Sequence, residues 1–288
     1  MVSTDPFGQR MILKSIFPFL ALSTALIAQP NPDWHKEFSA FKIAGNLYYV
    51  GTADLAVYLI ATPQGNILIN SDFKQDVPAI KKSIESLGFK YSDIKIVLIS
   101  HAHGDHDEAT GVVRDETGAK LEVMSEDVAD EQATGRGRPG AHVDRVLHDG
   151  DVVELGGSKW VAHLTPGHTK GCTTWTSQLQ EGGRNLNVVI VGSPNVNAGY
   201  YLVGNKTYPK IAEDYVKTFA VLNSLPCDIF LDAHGAYFGM KEKYEKFKAG
   251  DKNAFIDPAG YKAYIAEREK TFRDEWERQK KNPGSPKQ

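Results

Sequence analysis

The chain has 288 residues, 41% of them hydrophobic and 24% charged, which is ordinary globular composition and enough for one large domain or two fused halves. The formal net charge is -3 and no basic block interrupts the sequence, so nothing in it suggests a nucleic-acid groove. Lys and Glu cluster only near the C-terminus, where they read as a solvated helix face.

The N-terminus comes first. Arg10 and Lys14 precede an apolar run from Ile16 to Ala28, broken only by Pro18, Ser23 and Thr24. A basic flank, a core of that length and the small Ala28 before Gln29 fit a secretory signal peptide over residues 1–28. The run is shorter than the roughly 20 apolar residues of a membrane span. The expectation is an exported protein, periplasmic or secreted, with one domain over residues 29–288 and no membrane attachment after cleavage. Translation can start at Met1 or at Met11.

Beyond a short polar link, Phe41 to Gly51, Ala56 to Ala61 and Asn66 to Asn70 read as an antiparallel meander, with turns at Gly45-Asn46 and Pro63-Gln64-Gly65. Asp76 to Leu87 has helical spacing and stops at Gly88. Ile94 to Ser100 is an apolar run that reads as a buried strand. A helix begins within Asp107 to Arg114, a short strand covers Leu121 to Met124, and a further helix covers Ser125 to Thr134. The glycine-rich stretch 135–140 is a flexible loop and a candidate wall for a pocket, as is Trp34. The second half repeats the style, with strands at Asp151 to Leu155, Trp160 to Leu164, Cys172 to Ser177, Asn187 to Val191 and Ile229 to Leu231. Its helices are Lys210 to Leu222, Tyr244 to Phe247 and Pro258 to Lys280, ahead of a loose tail, Asn282 to Gln288. Two α+β units packed sheet to sheet, with helices outside, are the architecture this order implies.

The chemistry starts where the Ile94–Ser100 strand ends, at His101-Ala102-His103-Gly104-Asp105-His106. Alternate side chains at a strand end can converge, so His101 and His103 can share one ion while Asp105 and His106 serve a neighbouring one. Imidazole and carboxylate donors of this kind suit zinc. His168, in Thr165-Pro166-Gly167-His168-Thr169, and His234, in Leu231-Asp232-Ala233-His234-Gly235, each follow an apolar strand, where a sheet gives a ligand rigid support. His35, His142, His148 and His163 lack that setting and are assigned to the surface or to supporting roles. Cys172 and Cys227 read as free buried thiols.

This ordered set, H-x-H-x-D-H, T-P-G-H-T and a late A-H-G, resembles the metallo-β-lactamase superfamily from about Phe41 to His234. The resemblance implies an α+β fold, the four-layer αββα sandwich. It implies two Zn2+ per chain, the first on His101, His103 and His168 and the second on Asp105, His106 and His234. Many hydrolases of the superfamily, glyoxalase II and lactonases among them, carry Gly-Asp after the strand that follows T-P-G-H-T, and that Asp bridges the metals. This chain has Gly192-Ser193 there, which is similar to the true β-lactamases. With His106 present and no cysteine in that position, it is closest to the third subclass of class B.

By the same resemblance the chain is a zinc-dependent β-lactamase, active against penicillin-, cephalosporin- or carbapenem-type drugs and conferring resistance. A zinc-bound hydroxide oriented by Asp105 attacks the lactam carbonyl, and Ser193 and Asn195 grip the substrate carboxylate. The small-molecule β-lactam is the expected partner and the chain is expected to be a monomer. A lactonase or other ester or thioester hydrolase is the alternative, and a non-catalytic exported zinc-binding protein the remote one. Members of the subclass often pair the cysteine of Leu225-Pro226-Cys227-Asp228 with one about thirty residues later, and Ala254 to Pro258 offers none, so that disulfide is not expected.

Overall fold

A computed structural model describes residues 31–133 and 140–284. The signal peptide read at residues 1–28, most of the glycine-rich stretch (134–139) and the end of the tail (285–288) lie outside the described residues.

Two sheets form the frame. The first takes its strands in sequence order: β1 (Phe41–Ala44), β2 (Leu47–Tyr49), β3 (Tyr58–Thr62), β4 (Gly65–Ile69), β5 (Ile94–Leu98), β6 (Lys120–Met124) and β7 (Arg145–Leu147). β1 to β4 are the expected antiparallel meander, while β4 to β7 run parallel. Helices supply the crossovers that parallel strands require. These are α1 (Val77–Ser86) between β4 and β5, then α2 (Gly104–Asp107) and α3 (Thr110–Thr117) between β5 and β6, and α4 (Val128–Gln132) after β6. The second sheet is ordered β12-β11-β10-β9-β8, with β8 (Val152–Leu155), β9 (Ser158–Leu164), β10 (Thr173–Glu181), β11 (Arg184–Val191) and β12 (Ile229–Asp232). Only β11 and β12 pair in parallel there, joined through α5 (Ile211–Ser224). After β12 come α6 (Met240–Lys248) and α7 (Pro258–Lys281), the latter capped by the Asp257 carboxylate, which accepts from Gly260 N at 2.8 Å.

Period-two alternation sorts the core into two layers. Ile67, Ile69, Ile96 and Leu98 point between the sheets, where they join Trp160, Trp175 and Val188 to Val191 in one buried cluster that continues under α5 and α7. Their neighbours Leu68, Val97 and Ile99 point the other way and meet Ile80 and Ile84 of α1 and Val113 of α3 in a second cluster. β4 and β5 are therefore apolar on both faces, which is why they read as continuous hydrophobic runs. The result is the mixed α/β, two-sheet sandwich with outer helices that the sequence predicts. Among the described residues, no helix is long and apolar enough to cross a membrane.

β7 escaped the sequence reading. It has three residues, two of them exposed, and carries no apolar pattern to detect. α4 ends at Gln132, short of the expected Thr134.

Candidate metal centre

Strand ends from both sheets deliver the candidate ligands. β5 of the first sheet runs into His101 and His103, and α2 then turns the backbone so that Asp105 and His106 face the same spot. β9 leads to His168 and β12 to His234, both from the second sheet. His101, His103 and His168 each place a donor atom within 4.8 Å of the others, and so do His101, Asp105 and His106. His234 joins through the carboxylate, its Nε2 lying 3.5 Å from Asp105 Oδ2, with His106 Nε2 3.3 Å from the same oxygen. The structure thus brings together all six residues singled out as ligands.

The donor geometry fits zinc. Nitrogens bound to one tetrahedral zinc at about 2.0–2.1 Å lie about 3.3 Å apart. His103 Nδ1 and His168 Nε2 are separated by 3.2 Å. A second indication is polar groups without partners. His101 is 1% exposed and His106 fully buried, yet neither ring nitrogen of His101, nor Nδ1 of His106, has a hydrogen-bond partner. Buried polar atoms left in that state are costly unless something else satisfies them, and a cation would do so.

Electrostatics point the same way. Burial, with the neighbouring imidazoles, pushes His101 well below its ordinary value and lowers His168 to about 3, so both rings are neutral, as ligands must be. Burial alone would raise the Asp105 carboxyl, but His106 and His234 beside it hold it far below the usual carboxylate range. His234 moves the other way: burial would lower it, while Asp105 and Asp54 outweigh that and hold it at about 10. At neutral pH that ring therefore carries two protons, and a metal at Nε2 has to displace one of them.

Supporting contacts fix the ligand loops, and several of them leave no mark in the sequence. Asp127 is fully buried after β6. Its Oδ2 accepts from Ala102 N at 3.0 Å and Thr169 Oγ1 at 2.7 Å, and its Oδ1 accepts from Gly171 N at 2.6 Å. One carboxylate thereby clamps the loop holding His101 and His103 to the loop holding His168. Asn70 accepts from Ser100 N at 2.8 Å and donates to Ala56 O at 3.0 Å, which anchors the exit of β5. Asp54 touches His234, Nδ1 to Oδ2, at 3.3 Å. An acidic residue inside a bend has no local signature, so only the fold reveals these roles.

Ser193 and Asn195 lie just past β11 and are 3% and 9% exposed. Asn195 Nδ2 donates to Ser193 Oγ at 3.3 Å. The Asn195 carbonyl lies 2.8 Å from His168 Nδ1 and can only accept, so Nδ1 carries the proton and Nε2 is the donor atom offered to a metal. Tyr215 donates to the same carbonyl at 2.6 Å, and Tyr200 donates to His168 O at 2.7 Å. Trp34 sits at the edge of the centre, its ring 6.0 Å from that of His234. The other histidines are elsewhere: His35 pairs with Asp76, His163 lies by Thr176, and His142 and His148 are exposed. Cys172 is buried and Cys227 partly buried, both free.

Comparison with known proteins agrees with this architecture. The model of the metallo-beta-lactamase superfamily matches residues 55–180. The native FEZ-1 metallo-beta-lactamase from Legionella gormanii is 51% identical, covering 86% of this chain and 98% of that one, with a TM-score of 0.83. A class B3 di-zinc metallo-beta-lactamase, LRA-12, from an Alaskan soil metagenome is 34% identical, covering 85% and 97%, with a TM-score of 0.79. A hydroxyacylglutathione hydrolase from Rhodopseudomonas palustris is 31% identical over 187 residues, 65% of this chain; the chain spans 64% of that relative's length.

Proposed function

Since the chain belongs to the metallo-β-lactamase superfamily, we propose that it is a two-zinc β-lactamase of the third class B subclass that opens the lactam amide by hydrolysis. One observation carries the choice within the superfamily. The position that bears a bridging aspartate in thioester hydrolases of this fold is Ser193, buried with its hydroxyl turned to the Asn195 amide.

His101, His103 and His168 would hold one zinc, and Asp105, His106 and His234 the other. When bound, the two zincs supply Lewis acidity that polarises a carbonyl and brings the pKa of a water toward about 7. The chain's own residues do the rest. The neutral rings of His101 and His168 offer lone pairs, His168 because its Nδ1 proton is held by the Asn195 carbonyl. Asp105 stays ionised between two imidazoles and keeps negative charge at the centre of the site. Buried His101 and His106 close the floor to water, so a substrate approaches from the side of His103, His234 and Trp34, which are partly exposed.

The test is hydrolysis of a carbapenem and a chromogenic cephalosporin by the purified protein, with zinc and after chelation. Turnover abolished by EDTA and restored by zinc is the expected result. A second reading has support from the hydroxyacylglutathione hydrolase match. Turnover of a glutathione thioester with none of either β-lactam would replace the first reading by the second. Export is part of the proposal, resting on the basic and apolar segments before Gln29. N-terminal sequencing of the protein recovered from outside the cytoplasm should begin at Gln29, and a chain starting at Met1 or Met11 would refute it.

A further inference from the structure

We propose that Asp54 is a positioning residue that sets the orientation and the donor atom of His234 and, through Trp34, ties that orientation to the arm ahead of β1. The inference rests on the reading of His234 as a metal ligand.

Asp54 is 5% exposed, in the bend between β2 and β3. Its hydrogen bonds reach the His234 loop and Trp34. Its backbone carbonyl accepts from Gly235 N at 2.5 Å and its Oδ1 from Ala236 N at 2.9 Å. Oδ2 lies 3.3 Å from His234 Nδ1 and accepts from Trp34 Nε1 at 3.2 Å. A carboxylate has no proton to give, so Nδ1–H of His234 is the donor. Nε2, which faces Asp105, is then the nitrogen left for a metal. Carboxylate–histidine pairs of this form fix the ring and raise its basicity toward a metal on the other nitrogen.

The indole brings the arm into the arrangement. Trp34 packs between Phe73 and His234, with ring centroids 6.0 Å from each. The arm around it is fastened to the body at several points. Asp33 pairs with Lys241 at 2.5 Å, His35 with Asp76 at 2.9 Å, Glu37 with Lys82 at 2.7 Å, and Lys36 O accepts from Ala53 N at 2.9 Å. An arm held this way is part of the support of the second metal position, and not only a wall beside it.

The test compares wild type, Asp54→Asn and Trp34→Phe by two measurements. One is the affinity for each of two zincs, by competition with a chromogenic chelator. The other is the His234 Nδ1–H signal and its exchange with solvent by NMR, in zinc-free and zinc-loaded protein. Asn keeps the shape but has one oxygen, which cannot serve both Ala236 N and His234 Nδ1. Expected are a slowly exchanging Nδ1–H in wild type, its loss in Asp54→Asn, and a second zinc about 10–100-fold weaker with the first unchanged. Trp34→Phe keeps an aromatic ring but loses the bond to Oδ2, and should weaken the second zinc less. A Nδ1–H signal that survives in Asp54→Asn overturns the proposal, whatever the affinities do. Wild type that takes up no zinc yet shows the protected signal, lost in the variant, would refute the metal reading and leave the role of Asp54 standing.

Discussion

Asp127 has no cationic partner in its hydrogen-bond set, yet it receives three hydrogen bonds from two different ligand loops. Burial pushes its carboxyl up to about 6, against the pull of those donors. Removing it leaves Ala102 N, Gly171 N and Thr169 Oγ1 without their acceptor, and each orphaned buried donor costs about 1–3 kcal/mol. Asp127→Ala should therefore lose about 3 kcal/mol or more of stability to urea, and bind less zinc. A loss below about 1 kcal/mol would show that the clamp is dispensable. Asp144 has the opposite shift: hydrogen bonds from Arg114 chiefly, at 2.9 and 3.2 Å, with Leu121 N, bring it down to about 2. Folding then favours the ionised form. Its stabilisation is complete above the ordinary carboxylate value near 4 and disappears as pH falls through about 2. Because the pair is partly exposed, Asp144→Asn should cost only about 1 kcal/mol or less at pH 7, and the gap to wild type in urea melts should narrow from pH 5 downward. A gap that widens on acidification would contradict the assignment. At this scale the six candidate ligands were legible in the sequence, because histidine is scarce and its spacing after apolar strands is distinctive. Asp127, Asp54 and Asn70 were not, since each acts on residues far along the chain and none stands in a motif of its own.

Elements were legible in proportion to how strongly burial patterns them. β4 and β5 are apolar on both faces and stand out, and α1 declares itself by its spacing and by Gly88 behind it. β10 extends four residues past the expected end because Gln178 and Gln180 alternate with inward Leu179, a polar-rich stretch held by pairing with β11. The site depends on how closely these elements approach at one glycine. A Cβ on Gly171, at the entry to β10, would stand 2.5 Å from Asp127 N and 2.7 Å from its side chain. One of these atoms is backbone, and the Asp127 side chain is itself held by three hydrogen bonds, so neither gives way cheaply. Gly171→Ala should cost about 1–3 kcal/mol, the usual range for overpacking, and should weaken zinc binding together with the fold. Unchanged melting would mean that the loop can retreat without disturbing His168.

Across the whole molecule, the two sheets each bring part of the centre: His101, His103, Asp105 and His106 from the first, His168 and His234 from the second. Any ion bound there is bound by the native state and not by the separated halves. At free zinc 100 times its dissociation constant, each site adds about 2.7 kcal/mol. For a chain of this size, 1 kcal/mol moves the midpoint by about 2–4 °C. Chelation should therefore lower Tm by about 10 °C or more in thermal melts, and an unchanged Tm would separate the six residues from any metal.

The same division of donors between sheets has a kinetic side. The loop after β5 and the loop after β12 meet only when both sheets have docked, so an ion contributes nothing to a chain still searching for its pairings. Interactions absent from the transition state act on the rate of unfolding alone. Refolding from urea should proceed at the same speed with zinc or with EDTA, while unfolding slows severalfold or more when zinc is present. Metal would then be the last component to arrive and the first whose departure shortens the lifetime of the fold.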